Sequence, residues 1–162
     1  MTVGGADLPS WPELPQLLKD LLNDIEAETE DDSRHPRPWE LASLPDALHP
    51  VVWQWLPQAV AWINRCYAWQ PEVVIPPCWR EHPHLALELA VLAFGRELAY
   101  RSTKTQDPSE WHNDLQAMQT RMVAAVGAIA LTECQKGTHR ERPAAYELEH
   151  YERCTALAHG AI

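Results

Sequence analysis

Apolar residues recur along this chain at helical spacing and almost nowhere at the alternation of a half-buried strand. From Pro12 to about Glu28, Leu14, Leu17, Leu18, Leu21, Leu22 and Ile25 line one face, with Asp20, Asp24, Glu26 and Glu28 around it. That pattern predicts an amphipathic helix, which either docks on the rest of the chain or waits for a partner's groove. Between Ala47 and Tyr67 a second helical set runs through Val52, Trp55, Leu56, Ala59, Trp62, Ile63, Cys66 and Tyr67. Pro57 has no amide donor, so a break is expected there, with Pro57 opening a second segment. Cys66, on the apolar face, reads as a small buried hydrophobe.

Pro83–Arg101 is apolar on more than one face. Leu85, Leu89 and Leu92 occupy one side; Leu87, Val91, Phe94 and Leu98 occupy another, leaving Glu88, Arg96 and Glu97 a narrow polar edge. Such a helix belongs at the centre of a bundle. After the polar stretch 102–107, Asp107-Pro108-Ser109-Glu110 reads as a helix start with Asp107 at the N-cap. Trp111, Leu115, Met118, Met122, Val126 and Ile129 then mark one face as far as Leu131. A weaker stripe of Tyr146, Leu148, Tyr151 and Leu157 predicts a last helix from Pro143 to about Ala158. Val73–Ile75 is the one strand-like run. The expected fold is all-α, a single-domain helical bundle around a central antiparallel helical hairpin. Its expected division is a disordered N-terminus (1–10), an amphipathic helix (11–30), an acidic, Pro-punctuated linker (31–46) and a helical domain (47–162).

Composition narrows the partners. A chain of 162 residues suits one domain with a real core. The formal net charge is −10, from 13 basic against 23 acidic residues, which disfavours general nucleic-acid binding, although Lys136, Arg140 and Arg142 form a local basic patch. No apolar run reaches the roughly 20 residues of a membrane span. The start MTVGGADLPSWPELP lacks a basic, then apolar, leader, so a cytoplasmic location is expected. The cysteines Cys66, Cys78, Cys134 and Cys154 are then core residues or ligands rather than disulfides. Eight Trp beside one Phe supply core packing and also suit a protein interface.

Two short pairs carry the chemistry: Cys78-x3-His82 and Cys134-x4-His139. Each is weak alone. The helices 83–101 and 108–131 are both about 30 Å long, at about 1.5 Å per residue, and the short loop between them makes them antiparallel. The start of the first therefore lies beside the end of the second. Cys78, His82, Cys134 and His139 converge there as a Cys2His2 set suited to structural zinc, and Gly137 lets residues 134–139 fold back as a chelating turn. His84 is a substitute ligand or a hydrogen-bonding support. His112 falls at the opposite end of the hairpin. His150 and Cys154 form a minor candidate pair, and Glu147-x-x-His150 is half of a di-iron helix motif with no second copy.

The segment WINRCYAWQPEVVIPPCWREHPHLALELAVLA, with EWH and CQKGTH after it, resembles a family of small uncharacterised proteins of actinobacterial plasmids, phages and conjugative elements. Matching positions are Trp69-Gln70-Pro71, Pro76 to His84, Trp111-His112 and Cys134 to His139, within roughly residues 53–139. The resemblance implies a mobile-element setting and no activity; it also puts His112 inside the pattern.

The functional expectation is a non-enzymatic, zinc-stapled helical protein that binds another protein. A zinc hydrolase is the alternative; it needs an open coordination position and a carboxylate such as Glu81 or Glu133. A DNA-binding regulator using residues 134–142 is a further alternative.

Overall fold

The computed structural model describes residues 8–28 and 35–139. Within them the fold is all-α: α1 (Gln16–Ala27), α2 (His49–Tyr67), α3 (Pro83–Arg101), α4 (Gln106–Val126) and α5 (Ala128–Gln135). Single 3-10 turns stand at Leu41–Ser43, Pro71–Val73 and Trp79–Glu81. No described helix is long and apolar enough to cross a membrane. The expected helix at 143–158 lies outside the described residues.

Helix α3 is the centre, packed against both α2 and α4. Its Leu85, Leu89 and Phe94 meet Trp55, Leu56 and Ile63 of α2 and Leu115, Met118 and Met122 of α4 in one core. The Trp55 and Phe94 rings lie 5.0 Å apart at its middle. The face carrying Leu87 and Val91 was expected to be buried, yet these residues are 43% and 57% exposed. Phe94 is reached from the α2 side, so one broad stripe of α3 is buried and a narrower apolar stripe is left outside.

Helix α1 belongs to the same core. Leu18 and Leu22 are completely buried, and each fully buried leucine contributes about 1.5–3 kcal/mol. Ahead of it, three indole N–H groups fasten the proline-rich strap. Trp62 donates to the Pro9 carbonyl (2.8 Å), Trp55 to the Pro12 carbonyl (3.4 Å), and Trp11 itself donates to the Glu97 carboxylate. Arg96 stacks on Trp11, Trp62 and Tyr100 at 4.3, 4.5 and 4.1 Å. The first described residues, Leu8 to Ser10, thus lead into a fixed strap. In the stretch expected as linker, Trp39, Leu41 and Leu44 pack on the core, while Arg37 and His35 bind Glu28.

Three local expectations fail for identifiable reasons. Pro57 does not break α2, which is continuous with the proline inside it. The carbonyl that loses its partner is that of Trp53, four residues back, and it accepts Arg80 Nη2 at 3.5 Å. Val73–Ile75 forms no strand. Instead the Asn64 side-chain amide donates to the Ile75 carbonyl (2.9 Å) and accepts its N–H (2.8 Å), doing the work of a neighbouring strand. Helix α4 begins at Gln106 with Thr105 as its N-cap, two residues ahead of the expected Asp107 cap, and stops at Val126, where Gly127 takes φ 83°. The short α5 follows in a new direction, so Ile129 is 76% exposed instead of extending the α4 face.

Candidate metal centre

The Pro76-Pro77 step, with its fixed φ angles, delivers Cys78 to the head of the 3-10 turn Trp79–Glu81. The Glu81 N–H closes that turn on the Cys78 carbonyl at 2.9 Å. His82 ends the turn and is also the N-cap residue of α3; its carbonyl accepts the N–H groups of Leu85 and Ala86 at 2.9 and 3.0 Å. A helix start and a 3-10 turn thus share one residue, which fixes the Cys78–His82 spacing. Trp79 between them is buried and stacks on Trp53 with ring centroids 5.9 Å apart.

The second pair is set by the end of α5. Cys134 lies in its last turn and is fully buried. Gly137 N–H bonds to the Cys134 carbonyl and Thr138 N–H to the Glu133 carbonyl, both at 3.0 Å. This is the paired closure of a helix that ends on a left-handed residue, and Gly137 supplies it with φ 88°. The chain reverses, and the His139 ring comes to 5.0 Å from that of His82. Gln135 braces the same end by donating to the Pro71 and Val74 carbonyls at 2.7 and 2.8 Å, on the segment that leads into Cys78.

The ligand atoms of Cys78, His82, Cys134 and His139 all lie within 4.8 Å of one another. His82 Nε2 is 3.6 Å from Cys78 Sγ and 3.5 Å from Cys134 Sγ. A tetrahedral ion with bonds of about 2.3 Å to sulfur and about 2.0–2.1 Å to nitrogen separates S from N by about 3.5 Å. These four residues lie close enough to hold a metal ion. None of Cys66, Cys78 and Cys134 is in a disulfide.

Electrostatics fit a cation. Burial, then a hydrogen bond and charge repulsion from Cys134, push the Cys78 thiol up to about 11 from its ordinary 9.0. Burial, then the His139 and His84 rings, hold His82 below its usual 6.5. Without an ion, the site favours a protonated Cys78 thiol and a neutral His82 imidazole. A divalent cation reverses the thiol preference, and neutral imidazole is already the ligand form.

His84 is exposed, and its ring is 6.1 Å from that of His82; it stands beside the four ligand groups and outside their set. His112 is at the far end of the hairpin, within 3.3 Å of Tyr67 and Tyr100. Cys66 is half-exposed and not a core residue. His150, Cys154, Glu147, Arg140 and Arg142 lie outside the described residues, so the 134–142 basic patch is described only as far as His139. The braces Gln135 and Arg80 carry no metal-ligand spacing signal and were not anticipated. Comparisons with family models, with curated proteins and with solved structures found no match.

Proposed function

We propose that Cys78, His82, Cys134 and His139 bind one structural zinc ion, and that the chain is a non-enzymatic, zinc-stapled interaction protein. The observation that carries the reading is the four-way convergence of ligand atoms within 4.8 Å, with His82 Nε2 at 3.6 and 3.5 Å from the two sulfurs. Two sulfurs and two nitrogens suit zinc among the divalent metals. Four protein ligands complete a tetrahedron, whereas a catalytic zinc keeps a position for water. The ion would join the Pro-Pro loop before α3 to the turn after α5, adding its binding energy to folding.

A role in binding another protein is supported by the surface. Trp69 is 88% exposed, and its indole N–H is anchored on the Cys66 carbonyl at 3.1 Å. An ordered, exposed indole is a common interface anchor, and the net charge of −10 favours a basic partner surface. The motif resemblance supports a mobile genetic element as the setting of that partnership.

The test is the metal content of protein purified without a histidine tag. One equivalent of zinc is expected in the wild type and in Cys66→Ser, and none in Cys78→Ser or Cys134→Ser. Metal-free wild-type protein would sink the reading. A five-coordinate spectrum of the cobalt-substituted protein would move it to the hydrolase.

A further inference from the structure

At the end of the hairpin remote from the Cys/His cluster, three polar head groups from three helices meet. Tyr67 closes α2, Tyr100 lies in the last turn of α3, and His112 is in the second turn of α4. Both phenol oxygens are 3.3 Å from the same atom, His112 Nε2. A neutral ring nitrogen accepts one in-plane hydrogen bond, and a protonated one donates one. Two phenols therefore cannot both be served by it. Each contact also exceeds the roughly 2.9–3.0 Å typical of a hydrogen bond between nitrogen and oxygen. At least one phenol O–H is therefore free to donate to another acceptor.

One cation stands beside these head groups. Arg96 lies 4.1 Å from the Tyr100 ring and 5.7 Å from that of Trp111. Its Nε is buried with no hydrogen-bond partner among the described residues, and burial lowers its pKa, with Tyr100 and Tyr67 opposing. The adjacent Glu97 carboxylate accepts the Trp11 indole N–H and also acts on the Arg96 charge, raising its pKa against burial. Burial, then Tyr100, raises the Tyr67 pKa, with Arg96 opposing, so this phenol keeps its proton and remains a donor. His112 is exposed and Tyr100 is 46% exposed, so a ligand can reach the head groups from solvent.

We propose that Tyr67, Tyr100 and His112 form a binding site for a small oxyanion, a carboxylate or a phosphate, backed by the charge of Arg96. Two phenols and the ring N–H of His112 supply three donors to one acceptor group, which resolves the competition for a single nitrogen. The same arrangement gives the Trp111-His112 pair a reason to exist apart from the metal: Trp111 anchors α4 by donating to the Leu92 carbonyl at 2.8 Å, and its neighbour His112 faces the phenols.

The experiment is heteronuclear NMR of the histidine rings in untagged full-length protein, with the His112 signal assigned through His112→Gln. Inorganic phosphate, acetate and neutral acetamide are titrated at constant ionic strength. A saturating shift of His112 with phosphate or with acetate, absent with acetamide, is expected; whichever anion binds more tightly names the source. Tyr67→Phe and Tyr100→Phe keep the rings packed on Trp111, so the fold is retained, as circular dichroism would verify. Each should weaken binding by about tenfold, the loss of one hydrogen bond to a charged group. A linear, non-saturating shift with both anions, or unchanged affinity in both Phe variants, overturns the proposal.

Discussion

His82 Nε2 lies 3.5 Å from Cys134 Sγ although 52 positions separate them in the chain. That contact closes the α3–α4–α5 unit and concentrates the consequences of metal binding on few residues. Thermal unfolding with and without EDTA reads it out. The zinc-loaded wild type should lose stability on chelation, by about 2.7 kcal/mol if free metal stands at a hundred times the dissociation constant. His139→Ala should weaken zinc binding, and His84→Ala should leave it unchanged, because only the former ring belongs to the four-ligand cluster.

The metal-free protein should have a stability window with two edges. The folded-state Cys78 pKa is raised to about 11, so its contribution is complete below 9.0 and disappears as pH rises toward 11. The folded-state His82 pKa is lowered, so its contribution is present above 6.5 and is lost as pH falls through the lowered value. Urea midpoints of EDTA-treated protein should therefore be highest between these edges. Zinc affinity should rise with pH up to the upper edge, since binding releases the Cys78 proton. Midpoints flat from pH 5 to 11 would contradict this.

Gly137→Ala and Gly95→Ala should act in opposite directions. Position 137 has open space for a Cβ but holds φ 88°, so alanine costs about 1–2 kcal/mol there and loosens His139. Zinc affinity should fall about five- to thirtyfold, measured by competition with a chromophoric chelator. Position 95 is helical, and an added Cβ would meet the Trp111 ring at 3.9 Å, an ordinary contact. There alanine should stabilise by about 0.5–1 kcal/mol.

Trp11→Ala should detach the proline strap. It removes a ring 4.9 Å from Trp62 and 4.3 Å from Arg96, and it frees Glu97. The expected loss is about 2–3 kcal/mol in urea unfolding, at or just under the low end for tryptophan truncations because this ring is half-buried. Zinc content should not change, since the strap and the metal cluster occupy different parts of the bundle.

Much of this was legible from periodicity and from helix length. The bounds of α3 follow from Pro83 and the apolar run behind it, and the meeting of the two Cys/His pairs follows from two long helices joined by a short loop. Short-range signals were overridden where a tertiary partner stepped in. Nothing local to Pro57 reveals that Arg80 will satisfy the freed carbonyl, and nothing local to Val73–Ile75 reveals that Asn64 will replace a strand. Gly127 was readable as a helix terminator but is masked by the apolar spacing that continues through Ile129. The Tyr67–Tyr100–His112 focus draws on three helices, and no spacing rule links its members.

The proline inside α2 has a consequence for the loop that carries Cys78. Once that helix forms, it presents one carbonyl that no residue of its own can satisfy, at a position set by Pro57. Arg80, midway between Cys78 and His82, caps that carbonyl at long range. The Pro-Pro loop thus holds a contact with α2 that does not depend on an ion, and an ion at the Cys/His cluster would tie that same loop a second time.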